Sequence, residues 1–381
     1  MAVLVSILPF ACGRLAYPFW NLTGETDLLI APFVSDILMT GRMNFDAFLN
    51  NLTRNASLLH CPLMTRFQNT LLLMALCVTT LSANSAVQVK KQGQVVRVTI
   101  DGKLFTEYNY QGVSRPFLYP IIGPTGEGVT RNYPMKEVAG EAKDHVHHRA
   151  LYFAHGDING IDFWAETVHR NIKPGTTVHE GFLELKSGKV GIIKSQNKLI
   201  APDGQQVGTE VFTIRISSTG DKRYIDFQAS IQATHGKLVM GDTKEGMMAI
   251  RLASTMRLRA VDKSPGKGQI VTSAGITGKE TWGKRAAWVD YFGPVKGQTV
   301  GVAIFDHPSN LRHPTWWHVR DYGLFAANPF GKRYFEKLED KTAGNYTIPN
   351  GKSLTLKYRF YLHKGGTEAA KVGAEFKSWA K

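Results

Sequence analysis

Alternation of apolar and polar side chains is the dominant pattern of the chain from residue 95 onward. Apolar residues stand at every second position of 95–100, and 104–108 mixes the apolar Leu104, Phe105 and Tyr108 with two polar residues. The pair Asp101-Gly102 lies between the two runs. An Asp-Gly pair suits a tight turn because both residues tolerate positive φ. The pattern therefore predicts a β-hairpin with one buried face.

The same alternation recurs along the remaining sequence. Turn residues such as Ser187-Gly188 and Pro202-Asp203-Gly204 separate further short runs, at 182–185, 190–193, 199–201, 211–216, 224–231, 248–252, 299–305 and 354–361. No segment alternates strands with crossover helices, and only 367–379 has a helical composition. We therefore predict an all-β fold: a large antiparallel β-sandwich, closed by a short C-terminal helix, as a single domain over 87–381.

The first 86 residues differ from the rest. Met64-Thr-Arg66 precedes an apolar run at 71–81 and then the small residues at 83–86. This order is typical of a secretory signal peptide, with an apolar core too short for a permanent span. We predict a signal peptide at 64–86, an over-extended start for 1–63, and an exported chain (periplasmic or extracellular) that begins between Asn84 and Gln88. A genuine N-terminal extension anchored by 2–12 is the alternative.

The amino-acid composition limits which classes of binding partner are expected. The net charge is +15, but the lysines are dispersed and no arginine-rich helix or zinc finger occurs, which argues against a nucleic-acid partner. Cys12, Cys61 and Cys77 all precede residue 87, so the predicted mature chain has no disulfide and no thiolate metal site. It also lacks an apolar run of about 18 residues, so we expect no stable membrane span.

Residues 145–163 concentrate the titratable side chains. Four of the twelve histidines (His145, His147, His148 and His155) lie within eleven positions, next to Arg149 and two glycines. Clustered titratable groups are typical of a binding or catalytic surface. On a strand, His145 and His147 would share one face and His148 would lie on the other. The His-x-His pair could chelate a divalent metal together with His155, Asp157 or His307, or all three rings could be structural.

A second segment, 305–331, again combines imidazole, Arg and Asp with Trp and Gly. We expect it to face the His-rich segment across one cleft, with either His147 or His148 in the cleft but not both. Arg149 could clamp a ligand or pair with Asp162. Of the two tryptophans at 316–317, one is expected in a sugar platform and one in the core. Glu245 follows a lysine in a loop, where a solvated carboxylate is the simplest interpretation.

Several long motifs resemble a known family. Asp144-His-Val-His-His-Arg149, 154–164, Asp306-His-Pro-Ser-Asn310, 313–323 and Asn328-Pro-Phe-Gly331 resemble the bacterial family labelled "methane oxygenase PmoA", over nearly all of 90–365. More distantly, 115–126 and His148-Arg149 resemble galactose-mutarotase-like supersandwich proteins. That resemblance implies a sugar ligand stacked on aromatic rings, with a carboxylate that accepts a proton and an imidazole that donates one.

These observations favour an exported carbohydrate-active protein, as an enzyme (an isomerase, lyase or hydrolase) that uses acid–base chemistry. The alternatives are a non-catalytic glycan-binding protein and a copper- or iron-dependent oxidase-like protein. The sequence specifies no particular cofactor; a divalent metal held by His145 and His147 is the one we consider. The catalytic candidates are His147, His148, His155, Asp157, His307 and His318. The candidates for binding a sugar or other small molecule are Arg115, Tyr119, Arg149, Asp162, Trp164, Glu245, Trp317, Arg320 and Asn328.

Overall fold

A computed structural model describes residues 86–168 and 171–381. They belong to the second of two compact units, Ala83–Lys381. The predicted extension at 1–63 and all but the last residue of the predicted signal peptide at 64–86 lie outside the described residues. No helix in the described part of the chain is long and apolar enough to cross a membrane.

Eighteen strands in the described residues form two large sheets and one small ribbon. Sheet I has the order β1-β2-β3-β4-β5-β11-β16-β15, sheet II has the order β12-β13-β14-β18-β9-β8-β7-β6, and β10 pairs with β17. The strands are β1 (Val87–Gln92), β2 (Val95–Ile100), β3 (Lys103–Asn109), β4 (Phe117–Leu118), β5 (Leu151–His155), β6 (Thr176–Lys186), β7 (Val190–Ile200), β8 (Gln206–Thr219), β9 (Lys222–Gln232), β10 (Leu238–Met240), β11 (Gly246–Arg251), β12 (Gln269–Thr272), β13 (Trp288–Val295), β14 (Gln298–Asp306), β15 (Trp316–Val319), β16 (Leu324–Asn328), β17 (Tyr346–Ile348) and β18 (Ser353–Lys364).

Every strand pair within the sheets is antiparallel, which confirms the predicted all-β sandwich. The first hairpin forms as its sequence indicates: β2 pairs with β3, and the turn between them places Asp101 and Gly102 at φ 52° and 75°. This left-handed conformation is one that Gly and Asp adopt at little cost. The turns at Ser187-Gly188 and Pro202-Asp203-Gly204 likewise join β6 to β7 and β7 to β8.

The main core lies between the two sheets. It takes the alternate apolar residues of both, for example Val96 and Val98 of β2 with Ile214 and Ile216 of β8, all fully buried. Burying such a side chain stabilises the fold by about 1.5–3 kcal/mol each. This packing explains the period-two pattern, because one face of each strand contributes to the core.

The C-terminal helix is shorter than its composition predicted. Helix α1 spans Lys332–Glu336, and the C-terminal helix α2 spans Val372–Trp379, five residues later than the predicted start at 367. Lys371, which precedes α2, has φ 54°, a left-handed conformation that cannot continue a helix backward. Helix α2 packs on the far side of sheet II, where Val372 joins a small core with Phe305 and Tyr361.

The outer face of sheet I, away from the main core, is also covered. Strands β5, β11, β15 and β16 are buried at every position, and strands buried on both faces lose the alternation of a half-exposed strand. The backbone register aligns one row of outward-facing residues across this sheet: Phe117, Tyr152, Ala249, Ala326 and His318. The two alanines in the middle leave room above the sheet for side chains that arrive from loops.

Candidate functional site

The candidate site lies on this outer face of sheet I. We call it the outer-face cluster and define it as His147, His148, Tyr152, Trp164, Glu245 and His318. Ring centroids are 4.5 Å apart for His147 and His148, 5.8 Å for His148 and Trp164, and 5.1 Å for Tyr152 and Trp164. His318 ends the row that Tyr152 begins, and Glu245 directly precedes β11 between them.

The histidines are brought together by a turn, which corrects the expected strand alternation. Residues 145–150 precede β5, and His145 and Ala150 have φ values of 45° and 44°. As a result His147 and His148 lie on the same side of the sheet, with their rings at 83° to each other. His145 stacks on His148 at 4.7 Å. The expectation that His147 and His148 lie on opposite strand faces is therefore wrong.

Asp144 anchors this turn through two buried arginines. Its Oδ1 accepts hydrogen bonds from Arg131 at 2.6 Å and from Arg251 at 2.8 Å. Arg251 also donates to Nδ1 of His148 at 2.9 Å, which leaves the hydrogen of the neutral ring on Nε2. Burial alone would raise the pKa of Asp144, but the contact with His145 and the nearby arginines hold it well below its usual range. The turn therefore depends on an ionised carboxylate.

A second ion pair supports the other side of the cluster. Arg115 is buried and donates to the backbone carbonyls of Trp164 and Ala165, and it lies 3.6 Å from Glu166. Arg149 donates to the same carboxylate at 2.7 Å. The expected pair of Arg149 with Asp162 does not form, because Asp162 accepts hydrogen bonds from the backbone of the turn that carries Trp164.

Burial and the charge of Glu245 determine the protonation states within the cluster. Burial lowers the pKa of His147 and His318 to about 4, so both rings are neutral at pH 7. Burial raises the pKa of Glu245, but His318, Lys244 and His147 outweigh it, and the pKa lies below its ordinary value. Burial holds the pKa of the Tyr152 phenol well above 10. With His148, whose pKa burial also lowers, the site thus offers one ionised carboxylate, three neutral imidazoles and a neutral phenol.

Other predicted residues border the cluster without joining it. The side chain of Asn328 donates to the carbonyl of Thr243, and so holds the segment that carries Glu245 against β16. Arg320 lies 5.5 Å from the ring centre of Tyr322 and has no ion-pair partner in the described ranges 86–168 and 171–381. Tyr119 donates to Asn132 in the first loop.

Four predicted site residues lie elsewhere, which corrects those expectations. Trp317 is fully buried in the main core and donates to the carbonyl of Ala286, out of reach of a ligand. His155 points to the opposite face from Tyr152, against Phe330. Asp157 accepts the backbone N–H of Gly160 in a turn. His307 packs on Trp379 of α2 beside sheet II. Within the 305–331 segment, only residues after 315 therefore share a site with the His-rich segment 145–163.

The donor set does not fit the metal that we considered. The His145 and His147 rings are 5.7 Å apart at 79°, and Nδ1 of His145 is 3.0 Å from Asp144. Among the described residues, no group of three or more His, Asp or Glu side chains is arranged to hold a metal ion.

Sequence reasoning missed the charged residues that position the cluster: Arg131, Asp144, Glu166 and Arg251, together with the phenol of Tyr152. One signal was available. Arg251 follows the apolar run Met247-Met248-Ala249-Ile250, and a cation inside a buried strand requires an anionic partner.

We expect Asp144→Asn to lower the free energy of unfolding by about 3 kcal/mol, because it leaves Arg131 and Arg251 buried without their counter-charge. This value is the low end of the range usual for breaking a buried ion pair, because the Asp144 side chain is 40% exposed to solvent. Urea unfolding at pH 7 measures the loss. The matched control is Asp221→Asn, which breaks the exposed pair with Lys364 and should cost less than about 1 kcal/mol. Equal effects of the two substitutions would contradict the assignment.

A surface depression of about 460 Å³ is separate from the cluster. It is lined by Gly140, Ser254, Thr255, Ala260, Val261 and Asp262. It shares no residue with the outer-face cluster and offers one carboxylate and no imidazole, so it is the weaker candidate.

The fold and the site define an antiparallel β-sandwich protein with imidazoles and a carboxylate gathered on the outer face of one sheet. A family model described as "Family of unknown function (DUF6807)" matches residues 95–377, and the chain belongs to that family. No protein with a curated description matches the sequence.

Several solved structures are similar at low identity. The galactosidase domain of alpha-galactosidase-sucrose kinase, AgaSK, is 6% identical, with 73% of this chain and 41% of that chain covered and a TM-score of 0.38. A glycoside hydrolase family 97 enzyme from Pseudoalteromonas sp. strain K8, in complex with acarbose, is 8% identical over 74% and 34% of the chains, with a TM-score of 0.30. A galactose mutarotase related enzyme from Lactobacillus acidophilus is 10% identical over 73% and 97%, with a TM-score of 0.26.

The present chain thus spans about two fifths and one third of the length of the first two enzymes. With TM-scores below 0.5, these similarities carry no conclusion about activity. None of the matches supports the resemblance to the family labelled "methane oxygenase PmoA".

Proposed function

We propose that this protein is an exported carbohydrate-active enzyme that transfers protons at the outer-face cluster, with Glu245 as the base and His147 as the donor. One observation carries the proposal. Glu245 is one third exposed and directly precedes β11, which lies between β5, the strand of Tyr152, and the β16–β15 pair, whose His318 ends the same outward-facing row. Export rests on the signal-peptide pattern at 64–86.

The chemistry follows from the protonation states. The Glu245 side chain is one third exposed, so it can meet a ligand, and its ionised form can accept a proton from a sugar hydroxyl or from a carbon next to a carbonyl. A neutral imidazole has one N–H and one lone pair. His147, which is partly exposed, can therefore donate to the sugar oxygen that gains negative charge while Glu245 accepts a proton.

Of the aromatic rings at the cluster, Trp164 and Tyr152 lie side by side but are buried. The rings that a sugar can reach are those of Tyr322 and His145, which are at least partly exposed and stack on each other at 5.4 Å. Sites for small polar ligands typically combine such apolar walls with a few placed polar groups. This aromatic surface also suits a non-catalytic glycan-binding protein, which is the second candidate, but it gives no role to an ionised carboxylate beside two neutral imidazoles.

A panel of mono- and oligosaccharides tests the proposal. We expect the protein to accelerate NMR exchange between anomers, or to release reducing ends or unsaturated products, with at least one sugar of the panel. Glu245→Gln serves as the inactive comparison. Binding without any turnover would favour the glycan-binding protein, and no binding at all would contradict both candidates.

The pH dependence of turnover is a further prediction. We expect kcat/KM to be flat between about pH 6 and 8 and to fall on acidification with an apparent midpoint near 4. Protonation then charges His147 and His318, whose pKa values burial lowers to about 4. The groups are coupled, so the midpoint belongs to the cluster as a whole. A midpoint near 6.5, the value of an ordinary exposed histidine, would contradict the assignment; circular dichroism at pH 4 controls for unfolding.

A further inference from the structure

A row of stacked side chains leads away from the proposed proton donor. The ring of His147 lies 5.7 Å from that of His145, and His145 stacks on Tyr322 at 5.4 Å with 9° between the ring planes. The guanidinium of Arg320 lies 5.5 Å from the ring centre of Tyr322. We call these side chains the stacked row and define it as His147, His145, Tyr322 and Arg320.

The stacked row crosses one end of sheet I. His147 belongs to the turn that precedes β5, and Arg320 directly follows β15. Strands β11 and β16 lie between β5 and β15, so the two outer strands are three strand spacings apart, or roughly 14 Å. A pyranose ring is similar in width to the ring of a tyrosine, so one sugar unit cannot contact both ends of the row.

The row is accessible, in contrast to the buried rings of Tyr152 and Trp164. The side chain of His145 is 41% exposed, and His147, Tyr322 and Arg320 are half-buried. A ligand can therefore reach this edge of the cluster from solvent without displacing any of the packed side chains below it.

Polar atoms at the edge of the row lack protein partners. Within 86–168 and 171–381, the Tyr322 hydroxyl and the Arg320 guanidinium take part in no hydrogen bond or ion pair, and neither is sealed from solvent. Nδ1 of His145 lies 3.0 Å from Asp144, so Nε2 is the free atom of that ring. A phenol and an imidazole can donate or accept, and a guanidinium presents N–H donors in a planar fork. These groups match sugar hydroxyls, which also donate and accept.

Stacking holds these groups in place before a ligand arrives. Tyr322 contacts the ring of His145 and also the buried Arg251, whose guanidinium is 4.8 Å from the tyrosine ring centre. Arg320 contacts a second ring, that of Trp282, at 5.9 Å. Side chains that are already ordered lose little conformational entropy on binding. The row thus combines fixed geometry with unpaired polar atoms, as a ligand-binding surface does.

We propose that the stacked row is a second sugar subsite, and that the substrate is an oligosaccharide of at least two units, not a free monosaccharide. This inference rests on the proposed function and names its substrate class. The reacting unit lies at Glu245 and His147, and hydroxyls of the next unit bind Tyr322 and Arg320.

Titration of the whole chain with matched sugars tests the proposal. Calorimetry compares each monosaccharide with its disaccharide: glucose with cellobiose and with maltose, mannose with mannobiose, galactose with galactobiose, and xylose with xylobiose. The readout is the ratio of the two affinities, which we call the gain from the second unit. We expect a gain of at least about tenfold for one or more of these pairs, since a hydrogen bond to a charged group contributes about 1.5–3 kcal/mol.

Two substitutions in the row should reduce that gain. Arg320→Gln removes the guanidinium fork and should lower the gain on the order of tenfold, and Tyr322→Phe keeps the stacked ring but removes the hydroxyl and should lower it about fivefold. Thermal unfolding checks that each variant folds; Arg320→Gln breaks no contact with a protein acceptor among the described residues, so it keeps the test valid if the other variant is unstable.

Matched controls lie outside the row. Arg285→Gln alters another arginine that contacts an indole ring, that of Trp316 at 4.8 Å, and Tyr334→Phe removes the hydroxyl of an exposed tyrosine. Neither should change the gain. The absence of a gain for every pair, or a gain that both row substitutions leave intact, would overturn the proposal.

Failure of this inference is distinguishable from failure of the proposed function. Turnover of a sugar that depends on Glu245, without any gain from a second unit, would refute the second subsite and leave acid–base catalysis intact. A gain that depends on Arg320, without turnover of any sugar, would support the subsite and refute catalysis.

Discussion

Glu245→Gln is expected to lower kcat by about 10²–10⁴, the usual contribution of a positioned acid–base group. Glutamine keeps the size of the side chain but loses the charge and the capacity to accept a proton. The effect should fall on kcat more than on KM, because the hydrogen bonds of the amide can still hold a sugar. Steady-state kinetics with the substrate found in the sugar panel measures it.

Two observations separate a catalytic role from a structural one. The charge of Glu245 raises the pKa of His318 against the larger effect of burial, so the substitution should move that pKa further below about 4, as followed by NMR of the imidazole. The exposed Glu127→Gln is the matched control and should change neither kcat nor that pKa. A Glu245→Gln protein that retains kcat within about tenfold would contradict the role of Glu245 as the base.

The hairpins of the sandwich were predictable because their causes are local. Asp101-Gly102 determines its turn through backbone conformations that few other residue pairs adopt, and the flanking alternation determines which face is buried. The order of strands in the sheets was beyond such reasoning. Pairs such as β14 with β18 and β11 with β16 join segments far apart in the chain, and nothing in either strand alone specifies its partner.

The candidate site was predictable in composition but not in geometry. The density of imidazoles at 145–155 pointed to a segment in which three of the rings do lie close together. The strand rule that assigned opposite faces to His147 and His148 failed because these residues lie in a turn with positive φ at His145. The prediction that His307 belongs to the site failed for another reason. His307 directly follows β14 of sheet II, whereas His318 lies on β15 of sheet I. Similar composition in one segment therefore says little about a shared location.

The positioning arginines were missed because their roles exist only in the folded chain. Arg131 and Arg251 are 120 positions apart and meet at the single carboxylate of Asp144. Each side chain alone resembles an ordinary polar residue at the end of a strand or in a loop. The shared anion makes them part of the site.

A second large effect is expected far from the outer-face cluster, at Glu210 on β8. This carboxyl group is 2% exposed in the space between the sheets, and its Oε2 has no hydrogen-bond partner among the described residues. Both amide atoms of Asn197 on the adjacent β7 are likewise without a partner there. Burial raises the pKa of Glu210 to about 8, so the folded protein holds this group protonated at neutral pH.

The sign of the effect on stability follows from the proton balance. Between pH 4.5, the ordinary value, and about 8, the folded state keeps a proton that the unfolded chain releases. The free energy of unfolding therefore falls as the pH rises through this window, by an amount on the order of 5 kcal/mol in total, and this group causes no further loss above pH 8. Below pH 4.5 its contribution is fully present.

Glu210→Gln should remove this slope, because an amide does not titrate. Urea unfolding at pH 5, 7 and 9 compares the wild type, Glu210→Gln and the exposed Glu127→Gln. We expect the difference in stability between Glu210→Gln and the wild type to shift in favour of the variant by several kcal/mol from pH 5 to pH 9, whereas Glu127→Gln should follow the wild type. Because the other titrating groups are common to all three proteins, their contributions cancel in these differences. A difference that stays constant with pH would show that Glu210 is already ionised in the folded protein at neutral pH, which would require a cation or ordered water beside it between the sheets.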